Sequence, residues 1–299
     1  MLRTNMKLSF VDRLFYVIDY LLLVFCGIIV LIPMLNVFAQ SLSDPHSVLA
    51  GRVYLWPRNF TLDTFRLILR NKNIINGYLN TFYYASVGTC INLVMTVLCA
   101  YPLSRTDFAG RNFLMLIFAF TMMFGGGMIP TYIIIKNLGL IDTRWVMILP
   151  SAIAVWNMIL ARTFFQNTIP KELYESAELD GASDIKTLVS IVLPLSTPIL
   201  AVLTLFYAVS THWNSYFDAM MYLRSDRLYN IQLVLRNAIA NIAALLYMTG
   251  NLSQQEQSMA VAEASKYCII VISILPVMII YPFVQKYFIK GIMIGAIKG

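Results

Sequence analysis

The chain has 299 residues, of which 59% are hydrophobic and only 12% charged, and its mean hydropathy is +0.71. A soluble domain carries roughly 25% charged residues, and a water-exposed body of this length cannot hide so much apolar surface, so the bilayer is the expected solvent. The net charge of +7 comes from scattered Lys and Arg with no basic run beside aromatics, which sets nucleic acid aside, and four cysteines without a CxxC pair read as buried small hydrophobes.

A helix needs about 20 apolar residues to cross a hydrocarbon core about 30 Å thick. Six stretches meet that need, near 17–41, 79–103, 112–135, 145–166, 188–212 and 266–287. They predict an all-α integral membrane protein, a single transmembrane domain over residues 1–299. Loops at 42–78 and 218–265 fall on one face, which the family resemblance described below makes external, and a loop at 168–187 lies on the opposite face. The first span follows Arg3, Lys7 and Arg13 and is too long for a signal-peptide core, so it is expected to stay as an anchor. In the third, Gly125-Gly126-Gly127 either lets two helices approach closely or breaks the helix beside a cavity. The fourth is short enough that Arg144 and Arg162 must snorkel at its ends. Prolines near helix ends and midpoints, among them Pro33, Pro102, Pro194, Pro198 and Pro276, predict kinks. A further uncharged stretch at 237–255 has an apolar centre interrupted by Asn241, which suits an interfacial or loop helix rather than a span. Counting Lys and Arg does not fix the orientation, since eleven of the 22 fall on each face.

The acids are concentrated. Five of fifteen, Glu172, Glu175, Glu178, Asp180 and Asp184, lie in the 168–187 loop. There Thr168 is expected to cap, Pro170 to occupy a first helical turn, Lys171 to Leu179 to form a helix, Gly181 to end it left-handed, and Ser183 to cap a second helix. A rigid helix, turn and helix of this kind suits docking into a partner's groove.

The residue series in this loop is Glu175-Ser176-Ala177, then Gly181, Ile191 and Leu193-Pro194. It resembles the EAA loop of ABC importer permeases, departing only in Ser176 for the first alanine. The run from Gly126 to Tyr132, Leu138 to Leu140, the Trp213-Asn214 pair and the ending Gly295 to Gly299 are similar to the carbohydrate-uptake, maltose-transporter-like branch, second-subunit type. The resemblance implies six spans in the type I importer permease fold, in a bacterial-type cell membrane with both termini cytoplasmic. It implies a coupling element at 170–184, with Glu175, Ser176, Ala177, Glu178, Asp180, Gly181, Ile191, Leu193 and Pro194 serving the ATPase contact, and a tail (Gly295, Lys298, Gly299) that reaches toward the ATPase or is simply frayed. The implied partners are a second homologous permease, two copies of an ATP-binding subunit that use ATP and Mg, and an external solute-binding protein. No cofactor, metal or catalytic residue is expected on this chain, which has no phosphate loop.

Polar residues within spans are costly in lipid and tend to face helices, water or substrate. Asn92, Asn157, Trp213, Asn214, Tyr216 and Asp218 are therefore placed on a substrate path, with an aromatic belt as the competing account for the rings. Ala219, where the branch commonly has proline, resembles permeases for oligosaccharide fragments, some of them acidic, and the basic outer loops fit such ligands. An ion-driven carrier is the alternative; only Asp218 approaches the membrane carboxylate it would need.

Overall fold

A computed structural model describes residues 9–246 and 252–296, and among these every regular element is helical. The chain divides into two compact units, Met1–Arg70 with Ala238–Ile274 and Asn71–Asn237 with Leu275–Gly299.

In the first unit, α1 (Phe10–Ser41) is continuous through Pro33, and its apolar side chains from Phe10 to Leu35 are exposed, as a surface solvated by acyl chains would be. Its last turn is anchored. Ala39 packs with Val48 of α2 (Pro45–Leu49), Val53 and Ala264, and Cys268 Sγ donates to the Ser41 carbonyl at 3.2 Å. A third helix, α3 (Asp63–Leu69), completes this part of the loop.

The second unit is built on α4 (Lys72–Ser104), an uninterrupted helix of 33 residues. It is followed by α5 (Arg111–Met123), α6 (Met128–Asn137) and α7 (Val155–Thr168), the last preceded by two short turns. Then come α8 (Lys171–Leu179), α9 (Asp184–Thr187) and a fifth apolar stretch. That stretch runs as a wide-turn segment Leu188–Val192, α10 (Leu193–Leu195), α11 (Thr197–Leu205) and a second wide-turn segment Phe206–Trp213, with α12 (Tyr216–Tyr222) beyond it. The helices α13 (Ile231–Leu246) and α14 (Leu252–Ala296) close the chain.

Among the described residues three helices are long and apolar enough to cross a membrane: Phe10–Ser41, Lys72–Ser104 and Glu256–Pro282. Three bent pairs bring the number to as many as six if each is one span. The sharpest bend, 112°, separates α5 from α6 at the glycine triplet. Gly127 has φ +86°, and a Cβ at Gly125 would meet nothing within 4 Å. Of the two uses foreseen for these glycines, the structure shows the break, and among the described residues no other helix packs closely on them. The other bends are 49° between Arg144–Ser151 and Val155–Thr168, and 77° between Asp184–Leu195 and Thr197–Trp213. Ser196, set between Pro194 and Pro198, lies at the second of these, where prolines remove backbone bonds.

Lipid gives apolar helices no reason to associate, so packing and small residues must do it. Val97, Ala100, Tyr101 and Leu103 of α4 interlock with Met158, Ala161 and Phe165 of α7 and with Leu203 and Tyr207, and both alanines are fully buried. A second cluster joins Tyr84 to Ile135, Val146, Ile148, Tyr222 and Leu233. Above it α4 holds the 227–231 loop: Asn80 Nδ2 donates to the carbonyls of Arg227 and Tyr229 (2.8 and 3.0 Å), and Tyr84 Oη to that of Leu228 (2.8 Å).

Several expectations are corrected. Thr168 ends α7 and does not cap α8, whose N-cap is Pro170. The described part of the last helix runs from Leu252, so the helix extends before the span expected at 266–287. By contrast, the helix expected in the 237–255 stretch is present as far as Leu246, continuous with Ile231. Cys26 and Cys90 are exposed on their helices, and only Cys268 is buried. The tail residues Lys298 and Gly299, with Arg3 and Lys7 at the other end, lie outside the described residues, whereas Gly295 falls in the last turn of α14.

Candidate coupling element and polar path

The acidic loop folds as a helix, a left-handed turn and a helix. Glu172 in the first turn of α8 complements the positive end of the helix. At the other end Gly181 has φ +69°, its amide donates to the Glu178 carbonyl (3.0 Å), and the Ala182 amide donates to that of Ala177 (2.9 Å). This is the Schellman pattern, which satisfies carbonyls that a helix end leaves bare. Ser183 then caps α9, accepting from the Lys186 amide at 3.4 Å.

The element has two sides. Ala177 is buried, and Tyr174, three residues earlier on the same face, packs against the α4–α7 core. Glu175, Ser176, Glu178, Asp180 and Gly181 are exposed. So are two large apolar residues, Leu179 at 90% and Ile185 at 75%. The contact role implied for Ala177 is thus revised: its small side chain lets α8 lie against its own chain. Ile191, Leu193 and Pro194 stand apart from the exposed group, in the stem just before the 77° bend, where Leu193 packs on the core. Sequence reasoning passed over Tyr174, Leu179 and Ile185 as interaction residues; isolated large apolar side chains in an acidic loop were the available signal.

The residues expected on the substrate path divide between buried and exposed positions. Asn92 is fully buried and holds three elements together. Its Nδ2 donates to the Ser151 carbonyl (2.5 Å), so its Oδ1 is the acceptor for His212 Nε2 (2.7 Å). Trp213 is buried with its ring edge-on to Phe82 (5.6 Å between centroids) and near Tyr78 (6.4 Å). Asn157 is buried in α7. Tyr216 lies beneath the Arg236 guanidinium, 5.5 Å from its ring centroid, and donates to Met220 Sδ. Asn214 and Asp218 are exposed. His212 pairs with Asn92 and not with Asp218.

No protein-family model matches the chain. The polygalacturonan/rhamnogalacturonan transport system permease protein YtcP of Bacillus subtilis (strain 168) is 39% identical over 289 residues, which cover 96% of this chain and 99% of YtcP. The chain belongs to the permeases of ABC sugar importers. Protein LplC of the same organism is 38% identical over 287 residues, 96% of each chain. Among solved structures, a chain in the crystal structure of a bacterial ABC transporter involved in the import of the acidic polysaccharide alginate is 34% identical, with a TM-score of 0.84 over 95% of this chain and 100% of that one. This ABC permease is accordingly a non-catalytic integral membrane subunit of a sugar or oligosaccharide importer, with the importer-permease fold that the motif series implied. Ion-driven carriage falls with that assignment.

Proposed function

We propose that this permease forms one half of the path for an acidic oligosaccharide delivered by an external binding protein. It works beside a second, similar permease and two ATP-binding subunits that hydrolyse Mg-ATP, and residues 170–184 form the cytoplasmic coupling element. In this reading the chain has six spans with both termini cytoplasmic. The observation that carries it is the exposed pair Leu179 and Ile185 flanking the left-handed Gly181 on an otherwise acidic projection. An apolar pair with no cover from its own chain, framed by charge, suits the buried centre of a protein interface and its polar rim.

The acidic character of the sugar is supported by the relative named for polygalacturonan and rhamnogalacturonan and by the alginate importer. The exposed cations Arg52, Arg58, Arg66 and Arg70, and separately Lys136, Arg144, Arg224 and Arg227, give the outer loops a charge that draws anions. The test is the complete importer in proteoliposomes, with ATP hydrolysis measured against acidic and neutral oligosaccharides. Stimulation by oligouronates and not by uncharged oligomers of the same length is expected, and equal stimulation by both rejects the acidic assignment. A side chain at Gly181 would meet nothing within 4 Å of its own chain, and Asp and Asn tolerate left-handed backbone. Gly181→Asp is therefore expected to weaken ATPase copurification and stimulation through the partner alone, and a fully stimulated Gly181→Asp importer rejects the coupling reading.

A further inference from the structure

The C-terminal end of α4 meets α5, α7 and α8 at one joint. A helix ends with bare carbonyls and partial negative charge, and here those carbonyls are taken by neighbouring helices. Arg162 Nε of α7 donates to the Leu103 carbonyl (2.9 Å), Gln166 Nε2 to that of Ser104 (3.3 Å), and Arg111 Nη1 of α5 to that of Arg105 (3.1 Å). Three helices are thereby locked at one joint. Arg105 itself is held by Asp107, which accepts from Nε and Nη2 at 3.1 Å each, and its side chain is only 19% exposed. Its guanidinium lies 4.3 Å from the centroid of the Tyr174 ring, on α8.

Arg105 also stands between two openings. A cleft of about 520 Å3 separates the α4 end from α8, and another of about 410 Å3 separates it from α9. The first is lined by Arg111, Lys171, Glu175 and Glu178, the second by Tyr101, Asp184 and Ile185. Space on both sides leaves the two arms of the loop room to shift relative to α4, with the stacked pair bridging the gap. The other route, through the stem into the fifth apolar stretch, passes two wide-turn segments and a 77° bend. Such a path absorbs displacement, whereas α4 runs unbroken for 33 residues, about 50 Å at 1.5 Å per residue.

We propose that Arg105 is a positioning residue for transport: stacked on Tyr174, it passes the displacement of α8 to the capped end of α4, and through α4 to the outer loop that Asn80 and Tyr84 hold. The proposal rests on the coupling reading of residues 170–184. The experiment uses the complete importer in proteoliposomes, with uptake and sugar-stimulated ATP hydrolysis measured for Arg105→Gln, Arg105→Lys, Tyr174→Phe, Tyr174→Leu and the pair Arg105→Gln with Tyr174→Leu. Arg105→Gln is expected to copurify with the ATPase and keep its sugar KM while uptake turnover falls about tenfold, the scale of one lost, largely desolvated cation–π contact. Arg105→Lys, which keeps the charge, and Tyr174→Phe, which keeps the ring, recover most of the turnover. The double variant loses no more than the worse single change, since both remove one interaction. Wild-type turnover in Arg105→Gln, loss of ATPase copurification in that variant, or losses that multiply in the pair would each overturn the proposal. If Gly181→Asp abolishes stimulation while Arg105→Gln is silent, the coupling element stands and the stroke enters by the stem.

Discussion

A methyl group built on Gly88 of α4 would lie 2.3 Å from both Cε1 and Nε2 of His212, so the absence of a side chain at position 88 is what lets the imidazole reach Asn92. The ring is fully buried and can shift only by breaking that bond. Gly88→Ala is expected to destabilise the permease by about 1–3 kcal/mol through overpacking. A lowered melting temperature in detergent checks it, and an unchanged one refutes the contact.

Asn92→Leu tests whether this asparagine serves structure or sugar. It strips a partner from both the Ser151 carbonyl and His212 Nε2, with an expected loss of about 1–2 kcal/mol. Melting should fall while the sugar KM of the assembled importer stays at the wild-type value. A changed KM with unchanged melting would return Asn92 to the substrate path.

Leu179→Asp separates folding from docking. The side chain is 90% exposed, so the permease should melt as before. Affinity for the ATPase should drop about tenfold or more if Leu179 fills a pocket in the partner, read by titrating the ATPase against permease in nanodiscs.

Asp142 ties together the loop after α6 and the loop after α12. It accepts from the Ser225 hydroxyl, and from the Ser225 and Arg224 amides at 2.9 Å each, and these bonds hold its carboxyl below the usual carboxylate range, the hydroxyl contributing most. A depressed native pKa adds stability that is present above the unfolded value, near 3.9, and is lost as pH falls through the native value. Protection of the Arg224 and Ser225 amides, taken relative to intrinsic exchange at each pH, should therefore fall in acid in the wild type. In Asp142→Asn, which tolerates the left-handed φ of +58°, exchange should already be fast at neutral pH and depend little on this titration.

How much of this was legible in the sequence depended on how local each feature is. The boundaries of α8, the left-handed Gly181 and the Ser183 cap follow from residues a few positions apart, and the structure has them as read. The ABC importer motif lies in the same short window. The packing of Trp213 and Asn92 was not legible because their partners are remote: Trp213 meets Phe82, and Asn92 meets His212, across more than a hundred residues. Hydropathy flags a polar or aromatic group inside a span but is silent on whether another helix satisfies it. Ala177 shows the same limit at short range, since the motif marks the position and only packing shows which way it faces.

The 112° turn at Gly125-Gly126-Gly127 carries a requirement beyond this chain. Backbone that leaves the helical ladder at membrane depth cannot rest against acyl chains, because its amides and carbonyls find no partner there. The glycines carry no side chains to screen those groups, and the chain's own atoms leave open space beside Gly125 and Gly127. Where such a turn lies within the hydrocarbon, water or polypeptide rather than an acyl chain must stand against it, so the solvent of the third apolar segment differs from that of α1.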